Sequence, residues 1–186
     1  MSVIDPNKTW AKVEERLAVE TDPILRRNLQ IVLDHMKAEA VGDLDGLIAT
    51  LSDDVHYHSY SGASGGNPAS SPKGKDGVRK FYEDFIASGA TRLMLDVDRL
   101  VVDRDCILTE GVMRMAYPGR TLKARGVDVD DPEAYYLYET RMATLWPLDE
   151  DGMVRGEDTY TSSDGFEGIA ARKLTEDDIA VLTLVR

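Results

Sequence analysis

A chain of 186 residues with 42% hydrophobic and 30% charged content has the composition of one globular domain, long enough to bury its own core. Its 22 basic residues against 34 acidic ones leave a formal charge of −12. That balance disfavours nucleic acid or an anionic membrane as a partner held through a broad basic surface.

The first residues, MSVIDPNKTW, have no basic-then-apolar signal pattern, and no stretch approaches the length of a membrane span. A single cysteine, Cys106, excludes an intrachain disulfide and fits a reducing compartment, so a cytoplasmic location is expected. Over residues 6–20, Trp10, Val13 and Leu17 recur at helical spacing and predict an N-terminal helix. Asp22 and Pro23 start a longer helix, with a side-chain acceptor for orphan amides followed by a proline that has no N–H to satisfy. Leu25, Leu29, Val32, Met36 and Ala40 form its apolar stripe, and Gly42 supplies the left-handed cap. Asp43 caps a short helix carrying Leu44, Leu47, Ile48 and Leu51 on one side. Val55–Tyr60 then alternates as an aromatic-rich strand.

Residues 61–73, SGASGGNPASSPK, form a loop by composition, one long enough to be mobile or to cover a site. Val78, Phe81, Tyr82 and Phe85 give the apolar face of a third helix from Gly74, ended by Gly89. Strands follow at 92–102, 106–117, 135–147 and 153–161, the last two joined by a DEDG hairpin at 149–152. On the second of these, Ile107, Thr109, Gly111, Met113 and Met115 share one face, with Glu110 and Arg114 on the other. Glu110 and Arg114 are too far apart along the strand to touch, so pairing with Glu139 and Arg141 on the next strand is expected. Residues 118–134 form a long connection that reaches over a cavity or a dimer edge. The tail carries a short helix at 175–182, with Thr175 and Asp178 spaced as a capping box. Helices followed by a run of strands make an α+β architecture.

GDLDGLIATLSDDVHYHS at 42–59 and GKDGVRKFYEDFI at 74–86, with YPGR at 117–120 and LDEDGMVRGEDTYT at 148–161, resemble the nuclear-transport-factor-2-like (NTF2-like) superfamily. Its members include ketosteroid isomerase and the SnoaL-like polyketide cyclases and hydrolases. The resemblance implies one domain with a core at about 23–163. A strongly curved, mostly antiparallel sheet would wrap the long helix and leave a cone-shaped cavity. Residues 1–22 would be an added helical extension and 164–186 a tail. It also implies a hydrophobic small-molecule ligand, no cofactor, and a homodimer through the outer sheet face.

The family's isomerase site uses a helix tyrosine, a carboxylate on the first strand and an acid on a later strand. These positions fall here on His35, Ser59 and, less directly, Thr144. All three depart from the family set, and a serine does not replace a carboxylate as base without an activating neighbour. In the hydrolase and cyclase branches an acid lies on the last strand, and that position falls on Thr159. Glu157 shares its face, whereas Asp158 points the other way.

His35, Tyr57, Ser59 and Glu157 are therefore the candidate catalytic groups. Phe81, Met113, Met115, Met142, Thr144, Trp146 and Thr159 are the candidate ligand contacts. Each has a plainer reading beside it. Glu157 is either an acid/base group or a charge at a strand end, and His35 either a polar cavity group or a satisfied core histidine. The methionine-rich wall either receives a greasy polycyclic or terpenoid ligand or is simply core. His56 and His58 fall on the face opposite Tyr57 and Ser59, so a three-histidine metal site with His35 is disfavoured and no metal is assigned. The whole is either an enzyme using acid/base chemistry or a non-catalytic small-molecule-binding or dimerisation module.

Overall fold

A computed structural model describes residues 2–61 and 70–184. The elements are α1 (Ala11–Val19), α2 (Pro23–Val41), α3 (Leu44–Ala49), β1 (His58–Ser61), α4 (Gly74–Ser88), β2 (Leu93–Val102), β3 (Cys106–Pro118), α5 (Gly119–Ala124), β4 (Tyr135–Pro147), β5 (Asp158–Thr161) and β6 (Lys173–Leu174).

The long helix α2 has the expected ends. Asp22 Oδ1 accepts from the amides of Ile24 and Leu25 at 2.8 and 3.4 Å, and Gly42 closes the helix at φ 65°. Its buried face carries Leu29, Val32, Leu33 and Met36, together with two polar residues, Asn28 and His35. Asn28 is satisfied at the β2–β3 turn, where its amide donates to the carbonyls of Asp103 and Arg104.

The sheet runs in the order β1-β5-β4-β3-β2, with β6 added on β4. Every pairing is antiparallel except β1 with β5. It curves strongly across α2. A bulge interrupts the β2–β3 register between Val97 and Arg99, opposite Gly111. A Cβ on Gly111 would lie 2.0 Å from the carbonyl oxygen of Asp96, so only glycine lets β2 fold this closely over β3. The result is an α+β cone. The main core fills its closed end with Leu29, Val32, Met36, Leu47, Leu51, Val78, Ile107 and Trp146.

Several local expectations change. The N-terminal segment is a 3-10 turn at Pro6–Lys8 followed by α1, with Trp10 at the helix cap packed into the main core. The strand expected at 55–60 is regular only over β1. Ahead of it, the His56 amide donates to Arg155 O and the Tyr57 amide to Pro72 O. Most of the 61–73 loop, residues 62–69, lies outside the described residues. Beyond it, bridges from Ser59 to Ser70 and from His56 to Lys73 bring the chain back antiparallel to its own approach.

The 118–134 connection is not an open loop. It folds as α5 and an extended return, with Leu122 and Val129 buried in a second core alongside Tyr117, Tyr136, Tyr138 and Ile169. The last strand is shorter than expected because Val154 bridges Leu51 and Leu148 before β5 begins. The tail helix is a single 3-10 turn at Glu176–Asp178, with Asp178 Oδ2 accepting from both the amide and the hydroxyl of Thr175. Ile179 then bridges Ile4, and this extended pairing replaces further helix.

Candidate functional site

His35 lies at the inner end of the cone. Burial pushes its imidazole down to about 3, so the ring is neutral at working pH. Its tautomer follows from its neighbours. The Thr50 hydroxyl donates to Leu47 O at 2.6 Å, so it accepts from His35 Nδ1–H at 2.7 Å. Nε2 is then an acceptor facing two phenols, Tyr57 at 3.3 Å and Tyr82 at 3.4 Å. Tyr82 gives its proton to Glu157 Oε2 at 3.2 Å, which leaves Tyr57 as the donor to His35. Burial and the nearby carboxyls raise both phenols well above their ordinary value, so they remain neutral donors.

Above this network opens a cavity of about 300 Å³. Phe81, Phe85, Leu93, Met113, Met115 and Met142 make its apolar wall. Ser59, Thr159, Tyr82, Glu157 and Glu39 bring polar groups to it. Both carboxyls are half-buried, and no described side chain of opposite charge pairs with either. Burial raises Glu39 far above the usual carboxylate range, and Glu157 raises it further. Burial likewise raises Glu157, against the lowering effect of the Tyr82 hydrogen bond. Both carboxyls therefore favour the protonated form more than an ordinary carboxylate does, which suits acid/base work.

The residues singled out in the sequence divide into two layers. Ser59, Glu157, Phe81, Met113, Met115, Met142 and Thr159 reach the cavity. His35 and Tyr57 lie behind Tyr82 and meet the cavity only through it. Trp146 lies beneath the cavity, edge-on to His35 at 5.4 Å, with its indole N–H donating to Thr109 Oγ1 at 3.2 Å. Thr144 is also below the wall, and its buried hydroxyl has no hydrogen-bond partner among the described residues. Pleating sets Met142, Thr144 and Trp146 on one face of β4, and position along the strand separates them: Met142 reaches the cavity, whereas Thr144 and Trp146 lie deeper.

Two residues were missed. Helical spacing reads Tyr82 only as apolar surface of α4, although a buried phenol needs a partner. Glu39 falls outside the apolar stripe of α2. Yet Asn28, Val32, His35 and Glu39 recur at steps of four, three and four, so Glu39 is the next polar position on the His35 face.

The three-histidine arrangement does not assemble. His35 turns inward, while the His56 and His58 rings lie 4.1 Å apart across the strand from Tyr57. His58 Nδ1 meets Asp158 Oδ1 at 2.8 Å and His56 Nε2 meets Ser71 Oγ at 2.7 Å. Among the described residues, no three His, Cys, Asp or Glu side chains are grouped to hold a metal. On the outer face, Arg114 pairs with Glu139 at 2.6 Å, and Glu110 pairs with Arg99 and Arg141. These are cross-strand structural contacts.

A SnoaL-like domain model matches residues 32–131, more than half of the sequence, and the chain belongs to that family. A putative SnoaL-like polyketide cyclase from Shewanella putrefaciens superposes with a TM-score of 0.64 at 13% identity, covering 92% of this chain and 97% of that one. RV0760c from Mycobacterium tuberculosis, solved in complex with estradiol-17beta-hemisuccinate, gives 0.54 at 18% identity over 72% and 92%. The epoxide hydrolase/cyclase-like enzyme SalBIII, described for its role in pyran ring formation in the polyether salinomycin, gives 0.52 at 10% identity over 74% and 92%. At these identities the likeness is one of fold. No curated protein matches the sequence. No helix among the described residues is long and apolar enough to cross a membrane.

Proposed function

We propose that this SnoaL-like protein is a cofactor-independent acid/base enzyme of the isomerase, cyclase or hydrolase kind, acting on a hydrophobic small molecule. The observation that carries the reading is convergence: Glu157, Glu39 and the Tyr82 hydroxyl meet at one apolar cavity, where burial raises both carboxyls above the usual carboxylate range. In the productive state the protonated carboxyl gives its proton to a substrate oxygen. The ionised one takes a proton from the attacking hydroxyl or an acidic C–H, so the pair's total proton count is unchanged over the cycle. Tyr82 orients Glu157 while His35 and Tyr57 hold Tyr82 from behind. The epoxide hydrolase/cyclase-like neighbour makes hydroxyl attack on a C–O bond the first chemistry to try. The test is a panel of aryl and terpenoid epoxides, hydroxy-epoxides and enones, assayed by mass spectrometry with the wild type and with Glu157→Gln. Turnover that disappears in the variant while ligand affinity persists supports the enzyme. Binding without turnover across the panel favours the alternative, a binding module, for which the replaced family positions His35, Ser59 and Thr144 are the specific evidence.

The homodimer expected from the resemblance is also proposed. Tyr60 and Tyr160 stack at 4.8 Å on the β1–β5 edge with Tyr160 nearly half exposed, and sedimentation at micromolar concentration tests it.

A further inference from the structure

A second cavity, of about 370 Å³, adjoins the first. Glu39, Phe85 and Leu93 border both. Its floor is the last part of α2, at Met36 and Ala40, and its roof is the tail segment Ile179–Leu182. That roof is held by the opposite end of the chain. The Ala180 amide donates to Ile4 O at 2.8 Å. Asn7 clasps the next residues, its Nδ2 donating to Val181 O at 3.0 Å and its Oδ1 accepting from both the amide and the hydroxyl of Thr183 at 2.9 and 2.8 Å. The roof and its clasp lie outside residues 32–131, the part that matches the family model. The two ends of the chain thus roof a second cavity beside the first, whose apolar floor and roof are joined at its border by Thr9, Thr91, Arg92 and Glu176.

We propose that the second cavity is a subsite for an extended apolar arm of the same ligand, so that the ligand lies past Glu39 with its reacting group in the first cavity and its tail beneath Ile179–Leu182. This rests on the reading that the first cavity takes a hydrophobic ligand, and it names the class: an elongated molecule with a polar, reacting head and an aliphatic or terpenoid tail. Three observations support one ligand over two. The cavities share three bordering residues. The Glu39 carboxyl, which makes no described hydrogen bond, is reachable from both sides. The second cavity more than doubles the volume beside Glu39, and its floor and roof offer a methionine, alanines, an isoleucine and a leucine to an apolar guest.

Calorimetry with two probes that differ only in tail length, 4-ethylphenol and 4-octylphenol, tests this. Ala180→Trp fills the chamber from the roof, and Ala40→Leu fills it from the floor. Each is expected to weaken 4-octylphenol by about tenfold, the effect of denying burial to roughly two methylenes, and to change 4-ethylphenol by less than about twofold. Thermal melts show which variants fold, and either one alone suffices. If both probes weaken equally, or 4-octylphenol is unaffected, the subsite is overturned while the first cavity stands. If the wild type binds neither probe, the hydrophobic-ligand reading itself fails, and the subsite with it.

Discussion

Glu157, the residue before β5, and Glu110, on β3, meet opposite fates on the two faces of the curved sheet. On the outer face, Glu110 is gripped by Arg141 and Arg99, whose hydrogen bonds hold its carboxyl below the usual range. On the inner face, Glu157 and Glu39 have lost water without gaining a cation, and both are pushed up. The outer carboxylate is held in its charged form by its two arginines and is structural. The inner pair is pushed toward its protonated form, which is the property a general acid needs. A second contrast runs along α2. One turn separates His35, buried and fully hydrogen-bonded, from Glu39, half-exposed to two cavities and without a hydrogen-bond partner among the described residues.

The largest expected effect tests the inner face directly. Glu157→Gln keeps the shape and the Tyr82 contact but cannot ionise, and turnover of any substrate found should fall by about 10²- to 10⁴-fold with ligand affinity largely retained. A fall in affinity with unchanged turnover number would move Glu157 from chemistry to binding.

Next comes Thr50→Val. It removes the acceptor for His35 Nδ1–H deep in the core, at a cost of about 1–3 kcal/mol in urea unfolding. Freed from that constraint, the imidazole can turn its N–H toward the phenols and disturb the donor order that ends at Glu157. The pH profile of turnover should shift, whereas a purely structural threonine would lower stability and leave the profile in place.

The two faces also predict opposite pH dependences of stability. Glu39 and Glu157 titrate near 4.5 in the unfolded chain and well above that when folded. As pH rises past 4.5 the unfolded state loses protons that the folded state keeps. Stability from this pair is thus fully present below pH 4.5, declines through the neutral range, and levels off above the raised folded values. Glu110 works the other way: its contribution is present above 4.5 and is lost on acidification through its lowered value. Melting temperatures between about pH 6.5, above the range in which the buried neutral His35 adds its own opposite slope, and pH 9 should fall in the wild type and flatten in a Glu39→Gln/Glu157→Gln double variant. An unchanged slope would mean that the pair does not hold its proton.

The smallest effect belongs to the outer face. Arg114→Gln breaks a partly exposed ion pair with Glu139, and its cost should stay under about 1 kcal/mol.

Much of this molecule was written in local patterns. Asp22-Pro23 and Gly42 set the ends of α2, and alternation from Ile107 to Met115 assigned the cavity face of β3. The spacing of Glu110, Arg114, Glu139 and Arg141 anticipated the outer ion pairs. These features depend on a residue and its neighbours within a turn or a pleat, which is the range over which sequence periodicity acts. What tertiary structure alone decided is the company each polar group keeps. Tyr82 became a hydrogen-bond donor because α4 lies across from His35 and Glu157. Glu39 became half of a carboxyl pair because the curve of the sheet brings the start of β5 over the end of α2. The tail became the roof of a second chamber because Asn7, 176 residues from Thr183, is there to hold it. Desolvation and charge coupling depend on everything within a few ångströms, whatever its distance along the chain, so the chemistry of this site became visible only when the chain had folded around it.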